Sequence, residues 1–179
     1  MLNITVPAAE YFDDSKEEFI YVKETTLCLE HSLVSLSKWE SKWNKPFLSK
    51  SHKTREETLD YIRCMTITQN VNPLVYLGLT AENFEQVNNY IDAPMTATWF
   101  SKSKKSSRNQ RVVTSEIIYY WMLSLNIPFE CQKWHLNRLL TLIQVCNEEN
   151  NPQKKSQKEA IADRRALNAR RKKEMNTKG

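Results

Sequence analysis

The sequence predicts an α+β fold, predominantly α-helical, and three observations carry that reading. β-branched and aromatic residues gather before residue 32, whereas beyond it apolar residues recur at three- and four-residue steps. Ser/Thr–x–x–Glu pairs stand in front of several of those later runs, as helix N-termini require. Glycine is nearly absent: the 179 residues hold only Gly78 and Gly179. Phosphate-cradling loops, dinucleotide fingerprints and tight primed hairpin turns all need glycine for positive φ or close backbone approach. The same scarcity therefore excludes a P-loop or a Rossmann site and favours helix.

In order along the chain, NITV (3–6) and EEFIYVKETTLCLEHS (17–32) read as two or three short strands. Phe19 and Tyr21, then Thr25, Leu27 and Leu29, alternate, and the acidic YFDDSKEE reads as the turn of a small antiparallel sheet. The helical body begins near SLVSLSKWESKWNKPFL (32–48). Ser37 and Glu40 have capping-box spacing, with Ser32 and Ser35 as earlier possible starts; Leu36, Trp39 and Trp43 share a face, and Pro46 ends the helix. Thr54 and Glu57 form a capping box for a helix over 53–67, with Leu59, Ile62, Met65 and Thr66 inward.

Residues 70–79 read as a Pro/Asn connector. Thr80 caps a helix that carries Phe84, Val87 and Ile91 inward and ends at Pro94. FSKSKKSSRNQR (100–111) reads as a polar, basic, mobile loop. VVTSEIIYYWMLSLN (112–126) is apolar nearly all round, which predicts the central helix of the domain. Pro128 suits the first turn of a last long helix over 128–150, striped by Leu136, Leu139, Leu140, Ile143 and Cys146. The expected organisation is a globular domain over 1–152, made of a sheet over 1–31 and about five helices over 32–150. A basic, partly disordered helical tail follows over 153–179.

Charge divides the chain at the same place. Residues 153–179 hold ten Lys/Arg and three acids, a net +7, and the other 152 residues carry −2. Arg164, Arg165, Arg170, Arg171, Lys172 and Lys173 are therefore the candidates for an electrostatic contact. That contact could be phosphate, with salt-dependent affinity, or an acidic protein face. The tail has no aromatic for base stacking and no heptad zipper after it.

Cys28, Cys64, Cys131 and Cys146 form no C-x-x-C pair, and MLNITVPAAEY has neither a basic nor an apolar leader segment. An intracellular chain with reduced thiols is expected, with no membrane span. Cys131–His135 and Cys28–His31 have metal-like spacing, but nothing in the sequence pairs the two groups into a three- or four-ligand site. No G-x-S-x-G or H-E-x-x-H occurs, so neither enzyme activity nor a cofactor is expected. Trp39 and Trp43 are foremost packing residues of one helix face. With Lys38, Lys42 and Lys45 beside them, Trp39, Trp43 and Phe47 are also the candidates for a partner surface.

The segments KETTLCLEHSLVSLSKWESKWNKPFL, TREETLDYIRCMTI, MTATWF, EIIYYWMLSLNIPFECQKWHLNRLLTLIQVCN and RRALNARRKKEMNTKG resemble small tail-region proteins of long-tailed bacteriophages, over nearly the whole chain. Some of that family are similar to tail assembly chaperones. The resemblance implies a non-enzymatic protein of the infected host's cytoplasm that binds the tape-measure protein before the tail tube polymerises. Self-association is a further expectation. The alternatives are a virion component, such as a head–tail connector or tail-completion protein, and a nucleic-acid-binding protein acting through the tail.

Overall fold

The computed structural model describes residues 1–98, 100 and 112–150; the basic tail over 153–179 and most of the 100–111 loop lie outside the described residues. The fold is α+β and mainly helical, with a small antiparallel β element at its N-terminus. One compact unit spans Met1–Gln144.

Four strands form two separate two-stranded pairings. β1 (Leu2–Val6) pairs antiparallel with β4 (Thr25–Leu29), Leu2 opposite Leu29 and Val6 opposite Thr25. Between them, β2 (Ala9–Asp13) and β3 (Glu18–Val22) form a ribbon with Phe12 opposite Phe19. The expected turn is thus shorter than YFDDSKEE, and Tyr11–Asp13 belong to β2. Tyr11 is held there by tertiary contact, since a Cβ added to Gly78 would lie 3.1 Å from its hydroxyl and 3.2 Å from Val6. The one glycine of the body is therefore used for close approach.

α1 (Leu33–Trp43) starts at Ser32, whose side chain accepts from the Ser35 N–H while Ser35 accepts from the Ser32 N–H. Ser32 thus prevails over Ser37 as the start. The helix ends before Pro46, at Asn44, which adopts left-handed φ of 51°. α2 (Arg55–Met65) has the expected Thr54–Glu57 capping box, with the Thr54 N–H donating to Glu57 Oε2 at 2.8 Å. Thr54→Ala is expected to lower the unfolding free energy by about 1 kcal/mol, read as a denaturant midpoint shift at constant m-value. A 3-10 turn at Pro73–Gly78 fills the expected connector, and α3 (Ala81–Asp92) is capped by Thr80 through Asn83. Asn83 Nδ2 also donates to the Thr5 carbonyl at 3.2 Å, tying α3 to β1.

Two expectations need correction. α4 (Ser115–Ser124) is not a central helix: it buries only Ser115, Ile118 and Met122 and leaves Tyr120 66% and Leu123 59% exposed. The segment 128–150 is not one helix. Phe129–Lys133 is a 3-10 turn, and α5 runs Leu136–Asn150. The break falls where Ser32 and His135 make an isolated antiparallel bridge and the Leu136 N–H donates to the His31 carbonyl at 2.7 Å. The Asn137 N–H then donates to His135 Nδ1, so His135 caps α5.

The core joins the two halves. Ile4, Val6, Leu27 and Leu29 of the strands meet Trp39 of α1, Tyr61, Ile62 and Met65 of α2, and Val87 and Tyr90 of α3. Leu29 is continued by an isolated bridge to Thr66, with the Glu30 N–H donating to the Met65 carbonyl and the Ile67 N–H to the Cys28 carbonyl.

Candidate functional site

The predicted aromatic surface comes first. Trp39 is 1% exposed and its indole N–H donates to the Glu57 carbonyl at 2.8 Å. It packs the α1–α2 interface and offers no surface to a partner. Trp43 stacks on it with centroids 6.2 Å apart and remains half-buried; its indole N–H donates to Asp60 Oδ2 at 2.9 Å. Phe47 stacks on Tyr61 at 3.8 Å and meets Trp39 edge-on at 5.1 Å. Phe47 therefore closes the core after the helix stop, and of the three only Trp43 and Phe47 keep some exposure.

Two of the three lysines expected to rim this surface, Lys42 and Lys45, are engaged. Lys42 Nζ lies 2.5 Å from Asp60 Oδ1, and Lys45 Nζ lies 2.5 Å from Glu57 Oε1. The carboxylates are almost wholly buried and the lysines largely exposed, so each ammonium covers an α2 charge from outside. Lys45 beside Glu57, with the Thr54 N–H, holds the Glu57 carboxyl below its usual range. Sequence spacing could not show this pairing, because the partners lie 18 and 12 positions apart on different helices.

A concave, largely apolar surface lies elsewhere. Leu48, Ser49 and Lys50 of the loop after α1, Val112 and Val113 before α4, Trp121 of α4 and Leu140 of α5 enclose a groove of about 720 Å³. Two of its apolar lining residues are well exposed, Leu48 to 39% and Val112 to 50%. One carboxylate assembles two of its walls. Glu40, 6% exposed, accepts the Phe47 N–H at Oε1 (2.8 Å) and the Ser115 N–H at Oε2 (2.7 Å). Thr114, the N-cap of α4, makes no side-chain cap bond. Glu40 of α1 therefore does the capping across space and places a negative charge at the helix N-terminus. The sequence signal for this site was the all-round apolarity of 112–126. It marked excess hydrophobic surface, and burial was the wrong inference from it.

A second site-like cluster is internal. The His31 and His135 rings sit edge to face at 5.1 Å, so the fold joins two histidines that the sequence left apart. His31 Nδ1 shares a hydrogen bond with the Tyr61 hydroxyl, and His135 Nε2 bonds the Tyr90 carbonyl at 2.9 Å. Because the Asn137 N–H occupies His135 Nδ1, the network assigns the proton to Nε2. Glu30 stands nearby, accepting from the Tyr90 hydroxyl at 2.7 Å and paired with the Met1 ammonium at 3.1 Å. Burial, with His135 alongside, pushes the His31 pKa down to about 3, and burial also lowers His135. Both rings are neutral at pH 7. Among the described residues no three His, Cys, Asp or Glu side chains converge as metal ligands, and no helix is long and apolar enough to cross a membrane.

The electrostatic candidates Arg164, Arg165, Arg170, Arg171, Lys172 and Lys173 lie outside the described residues. No protein-family model, curated protein or solved structure matches the chain.

Proposed function

We propose that this chain is a non-enzymatic binding protein that receives an amphipathic helix of another protein in the α4–α5 groove. The observation that supports the reading is the apolar groove lined by Leu48, Val112, Val113, Trp121 and Leu140, in which Leu48 and Val112 are exposed. An apolar groove with one cation at its lip, Lys50, suits a helix whose apolar stripe is flanked by acids. The resemblance to tail-region phage proteins supplies the partner: the tape-measure protein, held during tail assembly in the cytoplasm of the infected cell. Trp39 has no part in the contact, and the groove takes the place of the Trp39, Trp43 and Phe47 surface.

The test is co-expression of the tagged chain with the tape-measure protein, native or carrying Leu140→Glu or Trp121→Ala. The native chain is expected to retain the tape-measure protein and to be absent from purified virions. Each variant is expected to weaken retention by roughly tenfold or more while keeping the native melting curve. Equal capture by the folded variants would remove the groove from the function, and abundance in virions would make the protein a structural part instead.

A further inference from the structure

The β2–β3 ribbon has two unlike faces. Tyr11, Ile20 and Val22 turn toward the body and are half or fully buried. Phe12, Phe19 and Tyr21 stand on the opposite face, 51%, 73% and 59% exposed, with Phe12 and Phe19 in contact at 5.1 Å. Three uncovered aromatic rings on one two-stranded ribbon are costly in water and serve nothing in the core. Around them the charge is one-sided. Residues 9–24 hold Glu10, Asp13, Asp14, Glu17, Glu18 and Glu24 against Lys16 and Lys23, a net −4. Lys16 is already shared between Asp13 and Glu18 at 3.9 Å each.

Aromatic faces beside free carboxylates are the chemistry that receives arginine. The guanidinium stacks on the ring and its N–H fork donates to carboxylate. The same rings could stack nucleic-acid bases, but a −4 surround repels phosphate. The chain itself carries the complement: residues 153–179 are +7 and bear Arg164–Arg165 and Arg170–Arg171. We propose that the outward face of the β2–β3 ribbon is the docking surface for segment 153–179 of a second copy of this chain. Two different patches on each copy meet, so the contact is head to tail and permits growth beyond a dimer. This inference is independent of the groove, which lies among other elements.

Sedimentation velocity on the full chain, nuclease-treated, tests it. At about 50 mM salt the native chain is expected to associate with rising concentration, and at about 500 mM salt to weaken by roughly tenfold or more. Glu10→Arg/Glu17→Arg/Glu18→Arg in one variant, and Arg164→Glu/Arg165→Glu/Arg170→Glu/Arg171→Glu in another, are each expected to be monomeric and folded. Mixed in equal amounts they are expected to associate again, because each supplies the charge the other lacks. Phe19→Ser, on the solvent face, is expected to weaken association without altering the melting curve. A native chain that stays monomeric at every concentration overturns the proposal, as does association that survives ribbon reversal. Failure of the mixture to associate overturns it equally, and so does association that disappears with nuclease.

Discussion

Acidification from about pH 7.5 to pH 5 is expected to remove about 2 kcal/mol of stability through His31 alone. His31 is 2% exposed, packed between Tyr61 of α2 and the His135 ring, and its folded pKa is pushed down to about 3. An unfolded histidine titrates near pH 6.5. Between those values the unfolded chain binds a proton that the folded chain refuses, so acid favours unfolding. The stability is fully present above about pH 6.5 and is lost progressively as pH falls toward 3. His135 is shifted in the same direction by burial, although Glu30 and the Tyr90 carbonyl favour its charged form, so it adds to the loss. The Met1 ammonium opposes that charged form.

The window from about pH 7.5 to 5 isolates the histidines. Glu57, whose folded pKa is held low, contributes stability that is lost only at more acid pH, below its ordinary carboxylate value. Urea midpoints at the two pH values measure the effect, and His31→Gln is expected to reduce the difference at some cost in stability at pH 7.5. Equal midpoints for the native chain at both pH values would contradict a neutral, buried pair.

This histidine pair shows where the sequence stops being legible. Local signals were reliable for α2 and α3, where Thr54–Glu57 and Thr80 are satisfied within three residues of chain; at α1 the Ser37–Glu40 spacing misled, and the start is Ser32, one of the two earlier possibilities. The presence of a small antiparallel β element was legible from its β-branched and aromatic residues, but the strand at Ala9–Asp13 and the pairing of β1 with β4, Leu2 opposite Leu29, were not. What failed depended on distant partners. His135 interrupts the run 128–150 because it bridges Ser32 and because the Leu136 N–H finds the His31 carbonyl, more than a hundred residues away. Periodicity alone gave no reason to break there.

The same limit governs the site. Trp39 and Trp43 share a helix face, and that was readable; that α2 would bring Glu57 and Asp60 over them, turning Lys42 and Lys45 from a free rim into paired groups, was not. In 112–126 composition reported the amount of apolar surface correctly, yet burial depends on what else the chain can bring to cover it. Only Ser115, Ile118 and Met122 of α4 found cover in the compact unit. Tyr120 and Leu123 stay exposed, and of α4 only Trp121 lines the groove. Phe19 and Tyr21 follow the same logic, since both faces of β3 are apolar and alternation could not say which would face water.

Replacing Glu40 by alanine is expected to cost about 3–5 kcal/mol and to dismantle the groove before the rest of the fold. The carboxylate is buried and divides its oxygens between two backbone donors, the Phe47 N–H and the Ser115 N–H. Alanine leaves both without that acceptor, and Thr114 makes no side-chain cap bond that could stand in at α4. Phe47 leads directly into Leu48, and Ser115 follows Val112 and Val113, so the two donors anchor opposite walls of the same groove. Glu40→Gln keeps one oxygen but turns an N–H group toward the other donor, and an intermediate loss of about 1–3 kcal/mol is expected. Denaturant unfolding gives the energies. Hydrogen exchange separates local from global opening: in the glutamine variant the Ser115 amide is expected to lose protection while those of Leu27 and Ile62, in the core, keep it. An alanine variant within about 0.5 kcal/mol of the native chain would show that α4 is held by its apolar face alone. If instead the Ser115 amide opens and capture of the tape-measure protein falls in parallel, Glu40 positions the groove without touching what it binds.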